Sequence, residues 1–226
     1  QVSNYKIAQG PQLPIDCVGP VNEPTSCGCM PGYENKLNDD SFDGLFYFNC
    51  AKCDEGSTSS GGDSRECQPC PPGEYGDEAG LEACEPCRRG TFNGNAGATS
   101  NTNCTACPKG SYAPAKGSAK CQSCPPGSSC NSTGMESYDK CPIGTYQSSE
   151  SRTKCDECPR GSYQNKTGQA SCELCPAGTC SEAYGSSSNG VCALCGKGKS
   201  SQVGASVCTS CPKGSFQDSA GQTKCK

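Results

Sequence analysis

Cysteine is the residue whose number and spacing give this chain its potential chemistry. The sequence contains 25 cysteines among 226 residues, and most of those beyond position 66 stand in C-x-x-C pairs. The pairs are Cys67/Cys70, Cys84/Cys87, Cys104/Cys107, Cys121/Cys124, Cys155/Cys158, Cys172/Cys175, Cys192/Cys195 and Cys208/Cys211. Such pairs bind zinc, catalyse thiol–disulfide exchange or form structural cystines. The rest of the composition decides among these uses.

The composition favours structural cystines. Cysteine exceeds the level of roughly 8–10 % that is typical of disulfide scaffolds. Leu, Ile, Val and Phe together supply only 20 residues, and Trp is absent, so the chain lacks the apolar residues for a conventional core. Zinc ribbons would bring histidine and basic charge, and a catalytic C-x-x-C would need a βαβ context. Because disulfides persist in oxidising compartments, we predict an extracellular chain, secreted or at the cell surface.

Several other functions are disfavoured. Histidine, the commonest general base and metal ligand, is absent, and no base–nucleophile pair is recognisable, so we predict no enzyme and no cofactor. The net charge of −4 is spread along the chain and offers no basic stripe to nucleic acid. No apolar run reaches the roughly 18 residues of a membrane span. We interpret Gln1 as the start of a mature chain whose signal peptide has been removed.

A short repeat orders the cysteines. The second cysteine of each pair opens a unit of about 17 residues with the pattern C-P-x-G-x-[YF],. The turn glycines are Gly73, Gly90, Gly110, Gly127, Gly144, Gly161, Gly178, Gly198 and Gly214. The aromatic residues are Tyr75, Phe92, Tyr112, Tyr146, Tyr163 and Phe216. Proline fixes φ and glycine accepts positive φ, so C-P-x-G predicts a turn. The aromatic then starts a strand and lies over the neighbouring disulfide.

These patterns predict a small disulfide-rich fold: an elongated tandem array of short β-ribbon modules with little or no helix. Residues 1–16 are expected to form an extended N-terminal segment, either a loose terminus or a strand that docks on another subunit. Residues 17–52 form an N-terminal cysteine-rich module. Residues 53–226 form the tandem single-disulfide repeats.

The repeat constrains the disulfide pairing, although sequence alone does not determine it. The simplest scheme closes each unit with the first cysteine of the next pair. It gives Cys17–Cys27, Cys29–Cys50, Cys53–Cys67, Cys70–Cys84, Cys87–Cys104, Cys107–Cys121, Cys141–Cys155, Cys158–Cys172, Cys195–Cys208 and Cys211–Cys225. Each loop of about 15 residues contributes roughly 3 kcal/mol, which offsets the missing core. An interlaced scheme, first to third and second to fourth within a module, stays open.

Two units break the pattern. The unit opened by Cys124 has Tyr138 where a closing cysteine is expected but gains Cys130, which predicts a tight Cys124–Cys130 loop. The unit opened by Cys175 has two candidate partners, Cys180 and Cys192. Because the number of cysteines is odd, one is left over. We assign Cys180 as this residue, either unpaired or in an intermolecular bridge.

The motif C-P-x-G-x-[YF]…C-x-x-C resembles the cysteine-rich ephrin-receptor-like repeat over about residues 53–226. It is also similar to the single-disulfide module that opens tumour necrosis factor receptor repeats. Long arrays with Gly/Ser-rich loops resemble surface and flagellar-hair (mastigoneme-type) proteins of protists and algae. The resemblance implies a receptor, a spacer or a matrix component. The chain lacks the longer three-disulfide modules that hold ligand contacts in the receptor family, which disfavours cytokine binding.

Two modification or binding motifs stand apart from the repeat. Three N-glycosylation sequons begin at Asn103, Asn131 and Asn165,. Asp39, Ser41 and Asp43 match the first half of a calcium loop, but the twelfth position lacks Glu, and a solvated acidic turn is the favoured interpretation,. We predict no other metal.

The function predicted from the sequence is structural. We expect an extracellular repeat protein that forms or decorates a glycosylated fibre, surface coat or matrix. Its partners would be copies of itself or other extracellular structural proteins, together with N-linked glycans. The alternative is the ligand-binding ectodomain of a cell-surface receptor.

Overall fold

The computed structural model describes residues 15–18, 26–35, 50–61 and 66–226, and this part of the chain consists of short antiparallel ribbons. It contains no α-helix, only two 3-10 turns at Asn101–Asn103 and Asn189–Val191. The strands are β1 (Ile15–Val18), β2 (Ser26–Cys29), β3 (Tyr33–Asn35), β4 (Cys50–Lys52), β5 (Ser57–Thr58), β6 (Gln68–Pro69), β7 (Glu74–Tyr75), β8 (Glu85–Pro86), β9 (Thr91–Phe92), β10 (Thr105–Ala106), β11 (Ser111–Tyr112), β12 (Gln122–Ser123), β13 (Ser128–Ser129), β14 (Asp139–Lys140), β15 (Thr145–Tyr146), β16 (Asp156–Glu157), β17 (Ser162–Tyr163), β18 (Glu173–Leu174), β19 (Thr179–Cys180), β20 (Ala193–Leu194), β21 (Lys199–Ser200) and β22 (Thr209–Ser210). The predicted disulfide-rich array of β-ribbons is confirmed.

Each ribbon pairs two consecutive strands, from β1 with β2 to β21 with β22. From β3 onward the first strand directly follows a turn glycine, which is Gly32 before β3 and Gly56 before β5. From β5 onward the second strand is the two residues enclosed by a C-x-x-C pair, except β14, which lies between Tyr138 and Cys141. In one regular repeat Tyr146 lies opposite Asp156. The ribbon is closed where Cys158 donates its backbone N–H to the carbonyl of Gly144 at 2.9 Å. The C-x-x-C spacing therefore gives a strand of two residues, each paired with one residue of the partner strand.

Two features fix the C-P-x-G turn. The turn glycine has positive φ, +77° at Gly161, and a Cβ atom there would collide with the carbonyl of Gly204 in the repeat after next,. In most repeats a Ser or Thr directly follows the glycine, and its hydroxyl donates to the carbonyl three residues earlier, as Ser162 does to Pro159 at 2.7 Å. The same bond is made by Ser57, Thr91, Ser111, Ser128, Thr145, Thr179 and Ser215.

Successive repeats are joined by main-chain hydrogen bonds in a constant register. A turn glycine donates to the carbonyl of the residue three positions after the turn glycine of the next repeat, as Gly144 does to Gln164 at 2.7 Å. The second glycine of a loop donates back to the opening cysteine of the preceding repeat, as Gly168 does to Cys141 at 2.8 Å. Each repeat is thus hydrogen-bonded through its main chain to the repeats before and after it, as in other repeat proteins.

The chain divides into two compact units, one of Gln1–Ala106 with Ala115–Cys121 and the other of Cys107–Pro114 with Gln122–Lys226. In both units the interior is made of cystine and small polar side chains. The opening cysteines are 0–1 % exposed at Cys29, Cys53, Cys70, Cys87, Cys107, Cys124, Cys141, Cys158, Cys175 and Cys195. The buried polar residues include Asn93, Gln147, Gln164, Ser181, Ser201 and Gln217. The domain boundaries at residues 16 and 52 stay predictions.

Candidate functional site

The disulfide bridges are the chemical centre of the molecule. In the structure the opening cysteine of each regular repeat is bonded to the cysteine that closes the same repeat, as the simplest scheme has it, and Cys175, whose partner the sequence left open, is bonded to Cys192. These bridges are Cys29–Cys50, Cys53–Cys67, Cys70–Cys84, Cys87–Cys104, Cys141–Cys155, Cys158–Cys172, Cys175–Cys192, Cys195–Cys208 and Cys211–Cys225. Their Cα–Cα distances run from 5.5 to 5.8 Å, inside the usual range of about 4.4–6.8 Å.

Two predicted bridges need separate mention. Cys107 and Cys121 are both disulfide-bonded. The backbone register of β1 and β2 places Cys17 opposite Cys27, but their side chains lie outside the described part of the chain. Cys192 is the partner of Cys175, so the leftover sulfur belongs to Cys180.

The residue three positions after a turn glycine, here called the inner position, points to the opening cysteine of its own repeat. A Cβ atom built on Gly76, an inner-position glycine, would lie 3.3 Å from the Sγ of Cys70. Cys130 occupies the inner position of its repeat, and it is bonded to that repeat's opening cysteine, Cys124. Both cysteines are 0 % exposed. The predicted Cys124–Cys130 loop is therefore present, and its partner choice follows from the inner position.

The residue two positions after a turn glycine, here called the outer position, reaches the closing cysteine of the next repeat. The Oγ1 of Thr58 lies 3.9 Å from the Sγ of Cys84, and the Oγ of Ser200 lies 3.6 Å from the Sγ of Cys225. The two positions are adjacent in sequence, and successive side chains of a strand point to opposite faces. A shift of one residue therefore changes which sulfur a side chain meets.

The contact between an outer-position residue and the closing position of the next repeat is also made by Tyr138, which stands where a closing cysteine is expected. Its ring meets the outer-position Tyr112 of the preceding repeat in an edge-on contact, with centroids 5.3 Å apart and planes at 78°. Aromatic pairs prefer this geometry. An aromatic contact thus takes the place that a closing disulfide occupies elsewhere.

Cys180 occupies the outer position of the repeat opened by Cys175, where six other repeats have an aromatic residue. Its sulfur accordingly reaches Cys208, which closes the next repeat. Cys208 is also the partner of Cys195, and the three sulfur atoms lie within 4.8 Å of one another. Cys195 is 1 % exposed, whereas Cys180 and Cys208 are half-buried. We call these three residues the three-sulfur cluster.

The comparison with known families concerns these tandem cysteine-rich repeats. The sequence model of the tyrosine-protein kinase ephrin type A/B receptor-like family matches residues 94–141, 136–161, 144–192 and 198–226, which together span more than half of the chain. The chain belongs to this family. No curated protein matches it. Ephrin type A/B receptor-like repeats are extracellular, non-catalytic, cysteine-rich modules, and among the described residues no helix is long and apolar enough to cross a bilayer.

The weak calcium candidate at Asp39, Ser41 and Asp43, for which a solvated acidic turn was the favoured interpretation, lies outside the described residues. Within the described ranges the three-sulfur cluster is the group of His, Cys, Asp or Glu side chains that could hold an ion. Three thiolates would suit a soft metal such as Cu(I) or Zn²⁺. Such binding would first require reduction of the Cys195–Cys208 bridge of this ephrin type A/B receptor-like array.

The three sequon asparagines Asn103, Asn131 and Asn165 are exposed. Asn103 belongs to a 3-10 turn, and its side-chain oxygen accepts the backbone N–H of Ser100 at 3.1 Å. The Oδ1 of Asn131 accepts only a local bond from Ser132 at 3.0 Å. Glycosylation stays a prediction. The side chains of Asn131 and Asn165 take less part in hydrogen bonds of the fold than that of Asn103.

Charge at the outer position is modest and local. The Tyr75 hydroxyl donates to the Glu85 carboxylate at 2.7 Å, and this bond raises the pKa of Tyr75. The same cross-strand hydrogen bond, to Glu173, raises the pKa of Tyr163. Lys226 donates to Asp218 and lowers the pKa of that carboxyl. The two hydrogen bonds to carboxylates favour the neutral form of the Tyr75 and Tyr163 phenols, and the ion pair with Lys226 favours the charged form of Asp218.

A surface cavity of about 410 Å³ in the first compact unit is lined by Tyr75, Pro86, Arg88, Asn101 and Cys104. Its lining offers a guanidinium, a phenol and an amide for hydrogen bonding. It contains no imidazole or carboxylate, and Cys104 is bonded to Cys87. The cavity therefore lacks the nucleophile–base arrangement of a hydrolytic site.

One structural element, a glutamine at the inner position, was not predicted from the sequence. The Gln164 side chain donates to the carbonyl of Ser171 at 2.8 Å and accepts the backbone N–H of Lys166 at 3.0 Å. Gln147 and Gln217 make the matching bonds in their own repeats. The signal was visible as the recurring aromatic–Gln pairs Tyr146-Gln147, Tyr163-Gln164 and Phe216-Gln217.

Proposed function

We propose that the chain is a structural extracellular repeat protein that forms or decorates a glycosylated fibre, surface coat or matrix. The observation that carries this proposal is the main-chain bonding between successive repeats, made by turn glycines in both compact units. In such an array the folding free energy accumulates from each repeat and each contact with its neighbour. Adding repeats therefore adds surface without requiring a larger core.

The interior chemistry supports a durable structure. Cystines fill the positions that an apolar core would take, and buried amides and hydroxyls bond to loop carbonyls. Disulfides confine the unfolded chain as well as the folded one. An array of this kind would resist unfolding and proteolysis outside the cell.

The partners proposed are copies of the same chain or other extracellular structural proteins. Exposed sequons at Asn131 and Asn165 would add N-linked glycans, which keep exposed surface hydrated. The localisation proposed is secreted or at the cell surface.

Electron microscopy of native material, labelled with an antibody against this chain, tests the proposal. We expect labelled filaments, sheets or a surface coat. Glycosidase treatment and omission of the antibody serve as controls for sugar-dependent assembly and for background label. Label confined to dispersed, unassembled molecules would contradict the structural role.

The second candidate is the ectodomain of a receptor that binds a protein ligand. The observation that favours it is a group of exposed apolar side chains in the second compact unit. Leu174 is 56 % exposed and lies against Gly204, next to Val203, which is 59 % exposed. Exposed apolar surface of this kind often marks a contact site.

A binding assay separates the two candidates. If the chain is a receptor, it stays monomeric in sedimentation and binds a cell-surface or soluble protein with defined stoichiometry, and Leu174→Asp abolishes that binding. Ile143→Asp, a change at a turn residue that is 52 % exposed and lies outside this group, serves as the matched control. Self-assembly of the parent chain that is unaffected by Leu174→Asp would argue against the receptor role.

A further inference from the structure

We propose that the three-sulfur cluster is a thiol–disulfide exchange site, at which Cys180 and Cys195 compete for Cys208. A sulfur atom in a disulfide has one sulfur partner, so Cys208 bonds to only one of the two at a time. The third cysteine is then a thiol. This inference is independent of the structural role proposed above.

The backbone accommodates either bridge. The Cα–Cα distance is 5.5 Å for Cys195–Cys208 and 5.7 Å for Cys180–Cys208. Both values lie in the usual range of about 4.4–6.8 Å. Exchange between the two bridges therefore needs rotation of side chains and no rearrangement of the ribbons.

The position of Cys180 follows from the repeat and is independent of sulfur chemistry. Outer-position side chains approach the closing residue of the next repeat elsewhere in the chain. Thr58 contacts Cys84, Ser200 contacts Cys225, and Tyr112 contacts Tyr138. A cysteine at the outer position of the repeat opened by Cys175 is therefore held against the next closing disulfide.

The exchange step balances without any added oxidant or reductant. The Cys180 thiolate attacks the Sγ of Cys208, and a Cys180–Cys208 bond forms as the Cys195–Cys208 bond breaks. The electron pair leaves on the Sγ of Cys195, which takes a proton from solvent. The fold holds all three sulfurs together, so the reaction proceeds at high effective concentration.

The two states differ in the accessibility of the thiol. In one state the thiol is Cys180, which is half-buried. In the other it is Cys195, which is 1 % exposed. Exchange would thus withdraw an accessible thiol from solvent or return it, and it would control whether the chain forms a mixed disulfide by attacking a small disulfide in solution.

Thiol counting in single-cysteine variants tests the proposal, with N-ethylmaleimide as the probe under denaturing, non-reducing conditions. Cys195→Ser should contain one thiol fewer than the parent, because Cys180 and Cys208 then bond to each other. Cys180→Ser should also contain one fewer. Cys70→Ser is the matched control: Cys84 keeps only the Thr58 hydroxyl beside it, so the count should rise by one. A rise by one in Cys195→Ser would overturn the proposal.

The parent chain provides a second test that does not depend on the folding of any variant. The folded protein is quenched with acid, denatured and labelled, and the labelled cysteines are located by mass spectrometry. The label should be divided between Cys180 and Cys195, and Cys208 should be unlabelled because it is bonded in both states. Label on Cys180 alone, label on Cys208, or a covalent dimer without free thiol would each contradict the exchange.

Discussion

The two irregular repeats, opened by Cys124 and Cys175, differ by a single position and reach opposite outcomes. In the first an extra cysteine stands at the inner position, Cys130, and bonds to the opening cysteine of the same repeat. In the second it stands at the outer position, Cys180, and lies against the closing cysteine of the next repeat. Adjacent strand residues face opposite sides. Position within the ribbon, more than distance along the chain, therefore selects the partner of a cysteine.

The comparison also shows how a lost element is replaced. The repeat opened by Cys124 has no closing cysteine, and Tyr138 packs on Tyr112 at that place. The repeat opened by Cys175 keeps its bridge to Cys192 but has no outer aromatic. The repeat opened by Cys124 lacks the closing disulfide but has the Tyr138–Tyr112 contact at that place. The repeat opened by Cys175 has its closing disulfide but has Cys180 in place of the outer aromatic residue.

The partners of Cys130 and Cys180 both depend on the register in which one repeat packs on the next. A substitution that disturbs this register should therefore have the largest effect on the free energy of unfolding. Gly161→Ala should lower the free energy of unfolding by about 3 kcal/mol, because positive φ costs roughly 1–2 kcal/mol and the methyl group overpacks against Gly204. Gly214→Ala is the control, since its φ is also positive but a Cβ there meets nothing within 4 Å. Its cost should be about 1–2 kcal/mol. Chemical denaturation with the disulfides intact measures both, and equal costs would contradict the inter-repeat contact.

The inner-position bridge should be structural and the outer-position cysteine should not. Cys130→Ser should lower the free energy of unfolding by about 2 kcal/mol, because it opens a short loop and leaves Cys124 as a buried thiol. Cys180→Ser should change the stability by less than about 0.5 kcal/mol, because the Cys195–Cys208 bridge remains. The same denaturation experiment measures this pair. A larger loss in Cys180→Ser than in Cys130→Ser would reverse the assignment.

In regular repeats the inner position is held by hydrogen bonds, and their loss should have a smaller effect. Gln164→Ala leaves the Lys166 N–H and the Ser171 carbonyl without their partner, which should cost about 1–2 kcal/mol. Gln222 is exposed and donates only to the nearby carbonyl of Ala220 at 3.3 Å, so Gln222→Ala should cost less than about 0.5 kcal/mol. Hydrogen exchange at the Lys166 amide provides a local readout. Unchanged protection in Gln164→Ala would exclude the glutamine contact.

The loops that bear sequons should tolerate change with little effect on stability. We expect Asn131 and Asn165 to be glycosylated in material from a eukaryotic secretory host, and Asn103 to be modified to a lower extent because its side chain caps a 3-10 turn. Glycosidase treatment converts modified Asn to Asp, which mass spectrometry detects. Asn131→Gln and Asn165→Gln provide the matched unmodified chains. Higher occupancy at Asn103 than at the other two sites would contradict this order.

Much of the fold could be predicted because the residues that define the repeat, Pro, Gly and Cys, allow few backbone conformations. Pro and Gly fix the turn, and the spacing of the cysteines fixes the ribbon length and the Cys124–Cys130 loop. The alternation of inner and outer positions was not predicted, because strands of two residues are too short to show a period. The inner glutamines were missed although aromatic–Gln pairs recur in the sequence, because the partners of these glutamines are loop carbonyls, which have no sequence signature.

The environment of Cys180 was predictable only in part. The odd number of cysteines identified a leftover sulfur, and the motif placed it where an aromatic residue normally stands. Its contact with Cys208 depends on how one repeat is rotated on the next, which a local motif does not specify. The solvated acidic turn predicted at Asp39, Ser41 and Asp43, in preference to a calcium loop, stays a prediction.

Disulfide mapping of the native chain tests the central claim most directly. Cleavage after Glu157 separates Cys155 from Cys158, so a combined digest with trypsin distinguishes the nearest-neighbour scheme from the interlaced one. We expect Cys141 linked to Cys155, Cys158 linked to Cys172, and Cys124 linked to Cys130. A Cys155–Cys172 linkage, or Cys124 bonded outside its own repeat, would contradict the rule that ribbon position selects the partner.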